Sequence, residues 1–208
     1  MAKHSDTAIL ILAAGESRRL GTPKQLLDFE GETLIHRIAR QAAASNAHEV
    51  LVVLGHQAAR VEPELHDIKN ARTIHNPDYT RGMGTSIRAG VQALKTHDAI
   101  LISVCDQPHL TTDIFNRLIA RIPASPSGIV CARYIPLGIL DEPLSTIHFP
   151  LSTAFGVPAI FASQHFPTLL ALPDDAGAKV LLTANDVDSI DFPNGAIDID
   201  TVEDLANI

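Results

Sequence analysis

Two cations and a carboxylate frame the chemistry this sequence offers. Arg19 and Lys24 lie in the segment Leu12-Ala13-Ala14-Gly15-Glu16-Ser17-Arg18-Arg19-Leu20-Gly21-Thr22-Pro23-Lys24, and Asp106 opens Asp106-Gln107-Pro108. Lysine is a compact point charge and arginine a planar fork, so together they suit a polyphosphate. Small residues such as Ala13, Ala14 and Gly15 let a backbone approach a ligand closely, and loop N–H groups can cradle phosphate. A carboxylate like Asp106 suits Mg²⁺, which takes one or two carboxylates and fills its shell with substrate phosphate oxygens. The plainer alternatives are solvated basic residues in a strand-to-helix loop and an aspartate that caps a helix.

Other segments extend this set. Gly82-Met83-Gly84-Thr85-Ser86 is a close-approach loop at a positive helix end, suited to a base, ribose or phosphate, or else an ordinary N-cap formed by Thr85 or Ser86. Asp198 or Asp200 could complete a metal site with Asp106, or merely cap a last helix; Asp175, in Asp174-Asp175-Ala176-Gly177, is a weaker candidate of the same kind. Of ten histidines only His56 falls near these loops, and none has metal-ligand spacing. Ser17 lacks His and Asp partners in pattern, which argues against a serine nucleophile. The spacing is neither Gly-x-x-x-x-Gly-Lys-Ser/Thr nor Gly-x-Gly-x-x-Gly, so neither a Walker loop nor a dinucleotide fold is expected.

Strands and helices must bring these loops together. Ala8–Leu12, Val50–Leu54, Arg72–Ile74, Ala99–Val104 and Ile129–Ala132 read as strands, and the unbroken apolar runs among them imply a parallel sheet covered on both faces. Helical periodicity appears at Leu34–Ala43, Ile87–Leu94 and Ile114–Ile122, the last with Thr111 or Thr112 as cap and Pro123 as stop. The alternation defines an α/β fold, and in such sheets ligands bind beyond the carboxyl ends of the strands. Loops after the first and fourth runs carry Lys24 and Asp106. The rhythm breaks over 135–155, around Pro136, Pro143 and Pro150, which reads as an irregular excursion or hairpin arm. It resumes with Val157–Ala162, a helix ending at Pro173, another at Ala178–Leu182, a late strand at Val187–Ile190 and a terminal helix capped by Thr201. Residues 1–208 read as a single domain.

Composition narrows the function classes. Lys plus Arg is 16 against 24 Asp plus Glu, a net charge of −8, which argues against nucleic-acid binding. Trp is absent and aromatics are 4%, so a stacking platform is not expected. The apolar fraction of 46% supports a full core. No apolar run approaches the ~18 residues that span a bilayer. Lys3 and the run Thr7–Ala14 imitate a signal peptide, but Gly15–Arg19 follows where a small-residue cleavage site belongs. A cytoplasmic protein is expected. Cys105 and Cys131 sit in apolar runs and read as buried hydrophobes.

In order along the chain, LAAGESRRLGTPKQLL, GMGTSIRAG, DQPHLT, GVPAIF, DAGAKVLL and DIDTVEDL resemble the blocks of the molybdenum-cofactor nucleotidyltransferase (MobA-like NTP transferase) family, in its cytidylyltransferase-like branch. Two departures stand out: 135–155 is longer than the usual connection, and Val202 replaces the usual Pro of the last block. The resemblance implies a three-layer Rossmann-like nucleotidyltransferase fold with a mostly parallel sheet. It implies Mg²⁺-dependent transfer of CMP from CTP to molybdopterin cofactor with release of pyrophosphate. It places Leu12, Ala13, Ala14 and Gly15 beside base and ribose, Lys24 and Arg19 on the phosphates, Gly82, Gly84 and Ser86 near the nucleoside, and Asp106 on the metal, with Asp198 or Asp200 beside it. The alternatives are GTP as donor, a sugar or alditol phosphate as acceptor, and a non-catalytic factor that binds molybdopterin and hands it to a molybdenum hydroxylase apoenzyme. Ala14, where the guanylyl branch usually has Gly, favours CTP.

Overall fold

The protein is described from a computed structural model covering residues 6–17, 20–134, 155–184, 186–195, 197–199 and 204. In chain order the elements are β1 (Thr7–Ala13), a small hairpin of β2 (Asp28–Phe29) and β3 (Glu32–Thr33), α1 (Leu34–Ala43), β4 (Glu49–Leu54), α2 (Ala58–Val61), β5 (Ala71–His75), α3 (Met83–Leu94), β6 (Ala99–Val104), α4 (Thr112–Arg121), β7 (Ile129–Tyr134), β8 (Phe155–Ala162), helices Phe166–Leu170 and Lys179–Ala184, and β9 (Asp188–Phe192). The seven long strands form one sheet in the order β5-β4-β1-β6-β8-β7-β9. All neighbours pair parallel except β8, which runs antiparallel to both β6 and β7. The expected strands are therefore present, in a mostly parallel sheet.

The register explains why the apolar runs are unbroken. Along β1, Ile9, Ile11 and Ala13 face one core with α1 and α4, while Ala8, Leu10 and Leu12 face a second core with α3 and the two helices of 166–184. Paired residues agree: Val50 and Val52 lie opposite Ile9 and Ile11 and join the first core, whereas Leu51 lies opposite Leu10 and joins the second. Both faces of a central strand are covered, so polar residues there are few and small, as Thr7 in β1 and Ser103 in β6 are. Gly90 lets α3 lie directly on β1; a Cβ there would stand 2.3 Å from a methyl of Leu10.

Helix starts differ from expectation. Thr33 caps α1 by accepting from the His36 N–H. α3 begins at Met83 with Gly82 in the cap position, so neither Thr85 nor Ser86 is its N-cap. Thr111 occupies the cap position of α4 without a side-chain bond, and the Thr112 hydroxyl instead reaches Gln41. The excursion 135–154, Arg19, Asp200 and the cap Thr201 lie outside the described residues; of the terminal helix Asp204 is described, and it is helical. Among the described residues no helix is long and apolar enough to cross a membrane.

Candidate active site

β1 and β6 are adjacent and parallel, so their carboxyl ends open side by side. After β1 the chain folds back through a loop that ends at Lys24; after β6 it passes Cys105 to Asp106. This adjacency brings Lys24 Nζ to 2.5 Å from Asp106 Oδ2, across 82 positions of sequence. Both side chains are more than four-fifths buried, where an unpaired charge would be costly and a paired one is tolerated. The other Asp106 oxygen, Oδ1, is buried with no hydrogen-bond partner among the described residues. A buried oxygen left bare in this way fits a divalent cation, so the residues present suit the Mg²⁺ that the resemblance implies.

The loop between β1 and Lys24 is held by two side chains. Ser17 sits in the left-handed region (φ 52°) and its hydroxyl accepts from the Lys24 N–H at 3.0 Å, fixing where the lysine begins. Gln25 is almost wholly buried, and its amide donates to the Ala13 carbonyl at 2.8 Å and the Gly15 carbonyl at 3.0 Å. Those two carbonyls are thereby tied to the Gln25 side chain. Gln25 was not expected in the site. Its signal was a polar residue set against the apolar Leu26-Leu27, a hint too weak to act on by itself.

A cavity of about 280 Å³ lies at this rim. That is near the low end of ligand pockets, which run roughly from 300 to 1,000 Å³. Of the expected site residues, Leu12, Ala13, Ala14, Gly15, Lys24, Gly82, Ser86 and Asp106 all line it. Gly84 does not. A Cβ on Gly84 would stand 2.0 Å from the Pro173 carbonyl oxygen, and one on Gly82 (φ 136°) would stand 2.3 Å from that of Asp174. What approaches these glycines so closely is therefore the chain's own backbone, and the Gly84 N–H donates to Asp174 O at 2.8 Å. Arg88 clamps the same turn through Leu172 O and Asp174, and Arg81 adds a second contact to Asp174 at 2.7 Å. The Arg88 and Arg81 guanidiniums hold the Asp174 carboxyl below the usual carboxylate range.

The remaining candidates separate. The Ile199 N–H donates to Asp106 O at 3.0 Å, which sets the neighbouring Asp198 next to the Asp106 strand end. Gln107, also buried, donates to Tyr134 Oη, Val157 O and Gly195 O, tying that terminal segment to β7 and β8. Asp175 is exposed and does not line the cavity. Among the described residues no three His, Cys, Asp or Glu side chains gather as a metal site, so a cation at Asp106 would rely on substrate oxygens for much of its shell. His56 lies outside the cavity wall, its ring 6.1 Å from that of Tyr79. Cys105 does line the wall, but burial pushes its thiol up to about 12, helped by Asp106, so it stays protonated and is no nucleophile. Cys131 is likewise buried, its thiol raised to about 12 by burial and Asp188.

The mostly parallel seven-stranded sheet with one reversed strand is an α/β nucleotidyltransferase fold. Residues 9–189 match the MobA-like NTP transferase domain, and the chain belongs to that family. It is 33% identical over 202 residues to the nicotine blue oxidoreductase of Paenarthrobacter nicotinovorans, covering 94% of this chain and 93% of that one. It is also 33% identical over 109 residues to the molybdenum cofactor cytidylyltransferase of Escherichia coli K12, covering 52% of this chain and 56% of that one. The fold matches Rv0371c of Mycobacterium tuberculosis H37Rv with a TM-score of 0.77 at 24% identity, over 99% of this chain and 97% of that chain. A structure of Rv0371c in complex with manganese matches with a TM-score of 0.70 at 22% identity, over 98% and 97%. The protein is a nucleotidyltransferase.

Proposed function

We propose that this nucleotidyltransferase moves CMP from CTP to the terminal phosphate of molybdopterin cofactor, releasing pyrophosphate, with delivery to a molybdenum hydroxylase apoenzyme as the onward step. The observation that carries the reading is the Lys24–Asp106 contact with its second, bare carboxylate oxygen at the cavity mouth. An oxygen of the acceptor phosphate attacks the α-phosphorus of the triphosphate. The bond from that phosphorus to the α,β-bridging oxygen breaks, and its electron pair leaves with pyrophosphate. The acceptor is already largely ionised near pH 7, as phosphate monoesters are, so no general base is required. Two anions must meet, and the work of the protein is to neutralise and align them. Lys24 exchanges Asp106 for phosphate oxygens and stabilises the charge that grows on the departing pyrophosphate, with Arg19 as the second cation. Loop N–H groups near Gly15, braced by Gln25, complete the cradle. Asp106, with Asp198 or Asp200, would hold Mg²⁺, which supplies further neutralisation of the phosphate oxygens.

Pyrophosphate release measured with each of the four NTPs, Mg²⁺ and molybdopterin cofactor tests this. Release with CTP and cofactor together is expected, and little without the cofactor. Release with GTP alone would change the donor, and release with a sugar or alditol phosphate would change the acceptor. Cofactor binding without any release would leave a carrier. One observation favours a second reading: the relative matching 94% of the chain is called an oxidoreductase. Redox conversion of a dye substrate, with no pyrophosphate formed from any NTP, would move the assignment there.

A further inference from the structure

The cavity has a charged end and an uncharged end, and the sheet order separates them. Asp106 follows β6, Ala14 follows β1 and Gly55 follows β4, three neighbours in the order β4-β1-β6. Strands lie ~4.8 Å apart, so Gly55 stands roughly 10 Å from the Asp106 side, about two strand spacings. Of the lining residues, Tyr79 and Ala14 touch Gly55, and Ser86 accepts from Asn76, whose backbone N–H bonds the Leu54 carbonyl at the end of β4; none of the three is charged. If Lys24 and Asp106 take the phosphates, the nucleobase falls here.

Three groups at this end are packed against one another. A Cβ added to Gly55 would stand 2.7 Å from Tyr79 Cγ, 2.8 Å from the Ala14 methyl and 2.8 Å from the Ala14 carbonyl oxygen. The Tyr79 ring and the Ala14 methyl therefore both rest in the space that the absent side chain of residue 55 leaves. The His56 N–H holds the Ala14 carbonyl at 3.1 Å, so Ala14 cannot retreat from the ring. Tyr79 belongs to a short helical turn, Tyr79–Arg81, immediately before the Gly82 wall, and its ring packs on the edge of the second core. An aromatic ring has few rotamers, so this wall is stiff.

The geometry points to Tyr79, seated by Gly55, as the residue that sets the width of the nucleobase end and makes the cavity select a pyrimidine over a purine nucleotide. The inference rests on the nucleotidyl-transfer reading and assigns the source of its base preference. Ala14 contributes one methyl group, and the ring behind it contributes a whole planar face. Pocket differences of one methylene change selectivity about 10–200-fold, so loss of the ring should move it by more than loss of the methyl.

Direct binding of CTP and GTP in the presence of Mg²⁺, by calorimetry, tests this without any acceptor. The wild type should bind CTP more tightly. Tyr79→Ala should shrink the CTP:GTP affinity ratio at least about tenfold, mainly by tightening GTP, and more than Ala14→Gly does. Tyr79→Phe, which keeps the ring, should hold the ratio within about threefold. Should Tyr79→Ala fail to fold, Tyr79→Leu keeps the apolar packing and should shift the ratio the same way. A ratio unmoved in the folded truncation, or equal affinities in the wild type, overturns the assignment of Tyr79 while leaving the nucleotide site standing. A wild type that binds neither triphosphate overturns the nucleotidyl-transfer reading, and this inference with it.

Discussion

The Lys24–Asp106 contact allows a test that separates architecture from chemistry. At 2.5 Å, two unit charges in an effective dielectric of about 20 attract by roughly 7 kcal/mol before desolvation is counted. Desolvation offsets most of that, and truncating one partner of a well-buried pair typically costs about 3–5 kcal/mol because the other charge is stranded. Lys24→Met and Asp106→Asn should therefore each destabilise the fold by about 2–4 kcal/mol. The double variant strands nothing and should lose less than the sum of the two, with a coupling of about 2 kcal/mol. Urea denaturation of the four proteins measures this. Turnover should behave differently. Each single change should lower pyrophosphate release about 10²–10³-fold, and the double variant should recover none of it, since phosphate neutralisation and the carboxylate are both gone. A double variant that regains stability and turnover together would show the pair to be a structural salt bridge and refute the catalytic assignment.

Other expectations follow from contacts elsewhere. Gly84→Ala should destabilise by about 2 kcal/mol or more, because its Cβ would meet the Pro173 carbonyl, a backbone atom, at 2.0 Å; an unchanged melting temperature would remove that turn from the account. Gln25→Leu leaves the Ala13 and Gly15 carbonyls without their donor, so it should cost about 1–3 kcal/mol and weaken CTP binding; calorimetry with unaltered affinity would show the brace to be dispensable. His97 is buried between Glu49 (2.7 Å) and Asp6 (3.0 Å). Burial disfavours its cation, but the hydrogen bonds to Glu49 and Asp6 outweigh burial and raise its pKa above 6.5. A raised pKa stabilises fully below the unfolded value near 6.5 and is lost as pH climbs through the folded one. The urea midpoint of the wild type should fall across that window, and His97→Gln should flatten the fall. Asp198→Asn should weaken Mn²⁺ affinity measured by calorimetry if Asp198 shares the cation with Asp106, and equal affinity would assign the second carboxylate elsewhere.

Much of this architecture can be read before any coordinates are seen, for a physical reason. Strands buried on both faces have no polar side, so Ala8–Leu12 announces itself as an unbroken apolar run and Ala99–Val104 as one interrupted only by Ser103. Chemistry at their carboxyl ends is then a matter of reading the next few residues, and Lys24 and Asp106 are found there. Contacts that depend on shape are not legible in this way. Glycines at 82 and 84 signal close approach, yet nothing in the chain says whether a ligand or the turn at Pro173 and Asp174 does the approaching. The contact of Tyr79 with Gly55 has no counterpart in the sequence pattern, because it depends on how the two loops pack. Ser17 attracts notice as a hydroxyl and works as an acceptor for one backbone N–H.

The pairing of Lys24 with Asp106 also bears on the order in which ligands are held. Two opposite charges in contact at a largely buried rim screen one another, so the pair presents little net field toward solvent. A triphosphate arriving alone would gain Lys24 but bring its negative charge against the stranded carboxylate. A divalent cation arriving alone would gain Asp106 but compete with Lys24 for that carboxylate. Together the cation offsets the triphosphate's charge beside Asp106 while the triphosphate offsets the lysine's, so each ligand eases the binding of the other. Coupling of this kind is reciprocal, so on the proposed reading the divalent cation tightens the triphosphate by the same factor that the triphosphate tightens the cation. It also accounts for the bare Oδ1 of Asp106: a carboxylate wholly consumed by its salt bridge would have nothing to offer the second ligand, whereas this one keeps an oxygen in reserve.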